Sequence, residues 1–136
     1  MSAFTLPRTG FPDLVFEGAL MTEQCGAPED AKTGNRRHEI AVYQSDDGEV
    51  IVAIHFHSEQ ADELSDDFVE VVNRINDVEE VLSLYQPGIH YIAESSNRRN
   101  DDDIRITREL TRRYDLQVDA ILRDLVTAKP AVIPGE

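Results

Sequence analysis

Three of the chain's four histidines, His38, His55 and His57, fall around one apolar stretch. Imidazole is the commonest side-chain ligand of transition metals and changes charge near neutral pH. Three imidazoles converging on one face would hold Zn²⁺ and leave a fourth position open, the arrangement of a catalytic zinc site. Whether they converge depends on one bend. HEIAVYQS and EVIVAIHFH flank Asp46-Asp47-Gly48. Two runs rich in β-branched and aromatic residues around Asp-Gly predict a β-hairpin.

Two turns fit the same residues. If Asp47-Gly48 forms a two-residue turn, Asp46 faces Glu49 and His38 falls opposite His57. All three imidazoles then share a face, because residues i and i+2 of a strand point the same way. If Asp46-Asp47-Gly48 forms a three-residue loop with Gly48 left-handed, the register moves by one and His38 turns to the opposite face. In that case His55 and His57 simply run out of a sheet into water among carboxylates. A lone His-x-His is a weak motif, and no other ligand is anchored to it by spacing.

Arginine supplies a second constellation. Arg105, Arg108 and Arg112 stand at i, i+3 and i+7, on one face of a predicted helix, with Arg98 and Arg99 just upstream. Such a stripe would contact an acidic partner, a phosphate or another subunit. Local pairing competes with that reading. Asp101 with Arg105 and Glu109 with Arg113 stand at i, i+4, which leaves Arg108 and Arg112 for other contacts. The acidic pairs Asp46-Asp47, Asp66-Asp67 and Glu79-Glu80, and the triplet Asp101–Asp103, lack the alternating spacing of a calcium loop. The single cysteine, Cys25, excludes an intrachain disulfide and has no histidine near it in sequence.

The elements that position these residues follow from periodicity and turn chemistry. Residues 1–12 carry two prolines and a glycine and read as an extended arm. The expected strands are 14–23, 38–45, 49–57 and 67–74. The third of these is apolar on both faces until its last residues, so it is expected at the centre of the sheet. The run Ala61, Leu64, Phe68, Val71, Ile75, Val78, Leu82, Tyr85 also fits a long helix at heptad spacing. Against that, FVEVV is β-branched, and Asp77 with Glu80 resembles a capping box. The reading adopted is therefore a strand followed by a helix over 78–86, stopped by Pro87-Gly88. Gly88–Glu94 reads as a connector or a further short strand. Two more helices are expected at 102–114 and 116–128, the second capped by Asp115 and ended by Pro130, with 129–136 a loose tail. The sum is one α+β domain over 1–136, an antiparallel sheet of about four strands with helices packed on one face.

Composition bounds the function. The chain has 136 residues and a formal charge of −14, with two Lys against eleven Arg. Such a field repels phosphate, so direct nucleic-acid binding and adhesion to an anionic membrane are not expected. No run is long and apolar enough for a membrane helix, and no secretory signal opens the chain, so the expected location is cytoplasmic. The acidity fits solubility, adaptation to high salt, or mimicry of nucleic acid that occupies a DNA-binding partner. There is no P-loop, GxSxG, GxGxxG, HExxH or CxxC. The leading expectation is a non-catalytic interaction or regulatory domain that binds a protein partner or itself, with no cofactor. The alternative is a zinc protein or metal-dependent enzyme built on His38, His55 and His57.

Overall fold

The computed structural model describes residues 2–26, 36–58, 65–85 and 101–132, with the side chains of the last stretch described over 104–126. The described elements are β1 (Ser2–Arg8), β2 (Phe11–Cys25), β3 (Arg36–Ser45), β4 (Val50–Ser58), β5 (Asp66–Val72), a 3-10 turn at Ile75–Asp77, α1 (Val78–Leu84) and α2 (Asp101–Val132). The strands form one five-stranded antiparallel sheet in the order β1-β2-β3-β4-β5. The α+β class with an antiparallel sheet therefore holds, with five strands rather than four.

The additional strand lies where an arm was expected. Pro7 sits at a register shift between Leu6 and Arg8, on an edge strand, where a missing N–H costs no ladder bond. Arg8 pairs with Phe11 across Thr9-Gly10, and Gly10 takes a φ of 83°. β2 is long, 15 residues, because it serves two partners in turn. Its first half pairs with β1 and its second with β3, and Gly18 faces both Ser2 and Ser45. A Cβ on Gly18 would lie 2.1 Å from the Gln44 carbonyl oxygen, so the strands approach more closely there than any side chain allows. A bulge between Leu20 and Thr22 follows. Bulges sharpen local bend and twist, and here the sheet curls until its two ends meet. The Thr9 N–H donates to the Asp67 carbonyl at 2.9 Å, and the Asp67 N–H donates to Thr9 Oγ1 at 2.8 Å.

One face of the sheet carries the core. Ile40 and Val42 of β3 and Val50, Val52 and Ile54 of β4 pack with Val78 and Leu82 of α1 and Tyr114, Ile121 and Leu125 of α2. Each such side chain contributes roughly 1.5–3 kcal/mol when fully buried. Polar bonds fix the helix on the sheet. Gln117 Nε2 donates to the carbonyls of His38 (2.8 Å) and Gln24 (3.2 Å), Thr22 Oγ1 donates to Asp124 (2.8 Å), and Tyr114 Oη donates to the Leu82 carbonyl (2.7 Å).

The strand-then-helix reading of the ambiguous segment holds as β5 and α1. The expected break at Asp115 does not occur: α2 is continuous from Asp101 to Val132. Its buried positions Leu110, Tyr114, Gln117, Ile121 and Leu125 keep helical spacing straight through Asp115, which faces solvent. It also passes Pro130 by two residues, near its end, where few backbone bonds remain to be lost. Residues 86–100, which include the Gly88–Glu94 connector, His90, Arg98 and Arg99, lie outside the described residues, as does the tail from 133. Among the described residues no helix is long and apolar enough to cross a membrane.

Candidate functional site

The hairpin between β3 and β4 closes with three residues. Gln44 pairs with Val50, the Ser45 N–H donates to the Glu49 carbonyl (2.8 Å), and the Gly48 N–H donates to the Ser45 carbonyl (3.0 Å). Gly48 has a φ of 89°, the left-handed conformation that this loop requires of its last residue. His38 consequently pairs with Phe56, not His57, and turns to the helix-covered face. It is 1% exposed, with the rings of Phe56, Tyr85 and Tyr114 at 5.3, 5.6 and 5.4 Å. His55 and His57 lie on the opposite face, with ring centroids 6.0 Å apart. The three imidazoles proposed as a zinc site do not converge, because the extra loop residue shifts the register by one.

The face opposite α1 and α2 holds a different constellation. Cross-strand partners share a face, so three transverse rows can be read along it. Cys25, Glu39, His55 and Asp67 form the first, one residue from each of β2 to β5. Glu23, Ala41, Ala53 and Val69 form the second, and Leu20, Tyr43, Ile51 and Val71 the third. Curling of the sheet then folds β1 over one end. Phe4 and Phe16 pack on Tyr43, with ring centroids 4.8 and 5.4 Å from it. Leu6 and Pro7 come to the rim.

These rows shape a cavity of about 240 Å³. Its cause is the second row. Two alanines stand side by side at the centre, between large rings on one side and longer polar side chains on the other. Three members of the polar row are paired, His55 with Asp67 inside the row and Glu39 with Arg37 beside it. His55 Nδ1 and Asp67 Oδ1 are 2.7 Å apart, and Arg37 Nε lies 3.4 Å from Glu39 Oε2. The field in the cavity is negative. Burial pushes the Cys25 thiol above its ordinary pKa, with Glu39 and then Glu23 adding to it and Arg37 opposing. Burial also pushes the Tyr43 phenol up, again with Glu23 adding.

That arrangement does not suit covalent chemistry. A thiol held in its protonated form is a poor nucleophile. Cys25 and His55 stand two strands apart, at strand spacings of about 4.8 Å, beyond the reach of a nucleophile–base hydrogen bond. The same spacing spreads the row of four too widely to close on one ion, and among the described residues no group of three or more His, Cys, Asp or Glu is placed to hold a metal. What the face offers is an apolar recess ringed by carboxylates.

The arginine stripe is placed on the outward side of α2, with Arg105, Arg108 and Arg112 all exposed. Arg112 does not stay available as the spacing suggested. Its Nε and Nη2 lie 3.3 and 2.5 Å from Glu109, which also accepts from Arg113 Nε at 2.7 Å. These two guanidinium groups, Arg112 before Arg113, draw the Glu109 carboxyl down to about 2. Asp101, the expected partner of Arg105, has a side chain outside the described residues.

Sequence reasoning passed over Glu23, Ala41 and Ala53, and weighed Asp67 only in an acidic pair with Asp66. Only the register across four strands brings them together, and the three-residue loop already implied one link of it, Glu39 opposite His55. No protein-family model, curated protein or solved structure matches the chain.

Proposed function

We propose that the protein is a non-catalytic interaction module that receives a segment of a partner protein on the face of its sheet opposite α1 and α2. The observation that carries this reading is the recess at Ala41 and Ala53, on a face that α1 and α2 leave uncovered. A buried face needs no such recess, and close packing would ordinarily fill it. Its volume of about 240 Å³ falls below the roughly 300–1,000 Å³ of small-molecule pockets. It suits one side chain of a larger partner. Apolar surface continues beside it at Leu20 and Val71, 42% and 38% exposed.

The adjoining strand edge supports an extended segment. Asp67 directs its backbone N–H and carbonyl outward, to Thr9. By antiparallel alternation Val69 and Val71 direct theirs the same way. Among the described residues no strand pairs with β5 on that side. An edge next to a recess is the usual setting for strand addition, where backbone bonds give affinity and pockets give specificity.

The test is Ala53→Leu, which fills the recess without adding charge. Proteins cross-linked to the purified chain in extracts of its own cells are compared between wild type and variant. Loss of a specific partner with Ala53→Leu, at unchanged circular dichroism and thermal midpoint, is the expected result. Partners captured equally by both proteins would place the contact elsewhere. Light scattering separates self-association from binding of a second protein.

A further inference from the structure

We infer that the recess takes a cationic side chain, an arginine before a lysine, presented by an otherwise apolar segment of a partner protein. This rests on the reading of the face opposite α1 and α2 as a docking surface and names what that surface selects. The argument begins with shape. Ala41 and Ala53 give the recess a small-residue floor, and Tyr43 gives it an aromatic wall. An arginine lays its aliphatic stem on apolar surface while its planar head stacks on a ring and donates two hydrogen bonds to carboxylate oxygens. The walls supply the other half of that match.

Glu23, Glu39 and Asp67 all line the recess. Glu39 and Asp67 already hold Arg37 and His55, at 3.4 and 2.7 Å. The site therefore already pairs its carboxylates with an arginine and a histidine, and a guest guanidinium joins beside them. The whole chain reinforces the preference, since a formal charge of −14 attracts a basic segment from a distance and repels an acidic one. A neutral apolar side chain would fill the volume but make no bond to the carboxylates around it, which disfavours that guest. A free polyamine would answer the charge but not the apolar surface beside the recess at Leu20 and Val71.

The probe is the capped pentapeptide acetyl-Val-Leu-Arg-Leu-Val-amide, titrated into the full chain beside its citrulline counterpart, a neutral isostere of the same shape. The arginine peptide is expected to bind about tenfold more tightly, as charge-assisted bonds outweigh neutral ones. Glu23→Gln with Glu39→Gln should remove most of that difference, added salt should shrink it, and Ala53→Leu or Ala41→Leu should abolish binding of both peptides.

Equal affinity of the two peptides, with Ala53→Leu still abolishing both, overturns the charge preference and leaves the docking surface standing. Binding of neither peptide to the wild-type protein overturns both readings. Arginine-dependent binding that survives Ala53→Leu and Ala41→Leu assigns the effect to the general acidic surface and overturns the recess as its seat. Spermidine binding as tightly as the arginine peptide overturns the protein segment as the source of the cation.

Discussion

At the scale of single residues, two glycines separate two kinds of constraint. Gly18→Ala places a carbon against the Gln44 carbonyl oxygen, where the backbone must move, and is expected to cost about 2–4 kcal/mol in urea unfolding. Gly48→Ala meets nothing within 4 Å and pays only for a left-handed φ, about 1 kcal/mol. Equal losses at the two positions would contradict the close approach of β2 to β3. Cys25 reports on the recess directly. Only the thiolate reacts with iodoacetamide, and burial together with Glu39 and Glu23 favours the thiol. The midpoint of alkylation against pH should therefore lie above that of the unfolded chain, and Glu39→Gln should bring it down. A midpoint at or below the unfolded value would mean the field in the recess is not negative. Glu109 titrates in the opposite sense. Its carboxyl is drawn below the usual range, so its pairing supports the fold above about pH 4.5 and is lost as pH falls toward 2.

At the scale of elements, the continuity of α2 is the sharpest departure from what the residue pattern suggests, and Leu116→Pro tests it. Proline is tolerated at the first position of a helix capped by Asp115, but inside a continuous helix it removes a backbone bond and clashes with the preceding turn. Leu116 is 53% exposed, so little packing is at stake. The continuous helix predicts a loss of about 3 kcal/mol or more in urea unfolding; a nearly silent substitution would restore two helices. The misreading has a physical cause, since Asp after Tyr looks like a cap until the spacing of Tyr114, Gln117 and Ile121 is followed across it. The β3–β4 hairpin was legible because alternation and Asp-Asp-Gly agree. Its loop length was not, because the same three residues satisfy two turns and only packing of His38, Ile40 and Val42 against the helices selects one. β1 was hidden by Pro7, Gly10 and Pro12, each a breaker in isolation and each tolerated on an edge strand or at its turn.

At the scale of the molecule, the curl of the sheet is what turns ordinary residues into a site. Glu23, Glu39, Ala41, Ala53 and Asp67 come from four strands, and no local pattern marks any of them. One face is closed by α1 and α2 around an apolar core, and the other is left with a recess, a ring of carboxylates and the edge of β5. Amide chemical shifts of the ¹⁵N-labelled protein, followed while the arginine pentapeptide is added, test that division most directly. Shifts gathered at Glu39, Ala41, Ala53, His55 and Val69, with the outward side of α2 unmoved, are the predicted result. Shifts centred on Arg108, Arg112 and Leu116, with the recess silent, would contradict it.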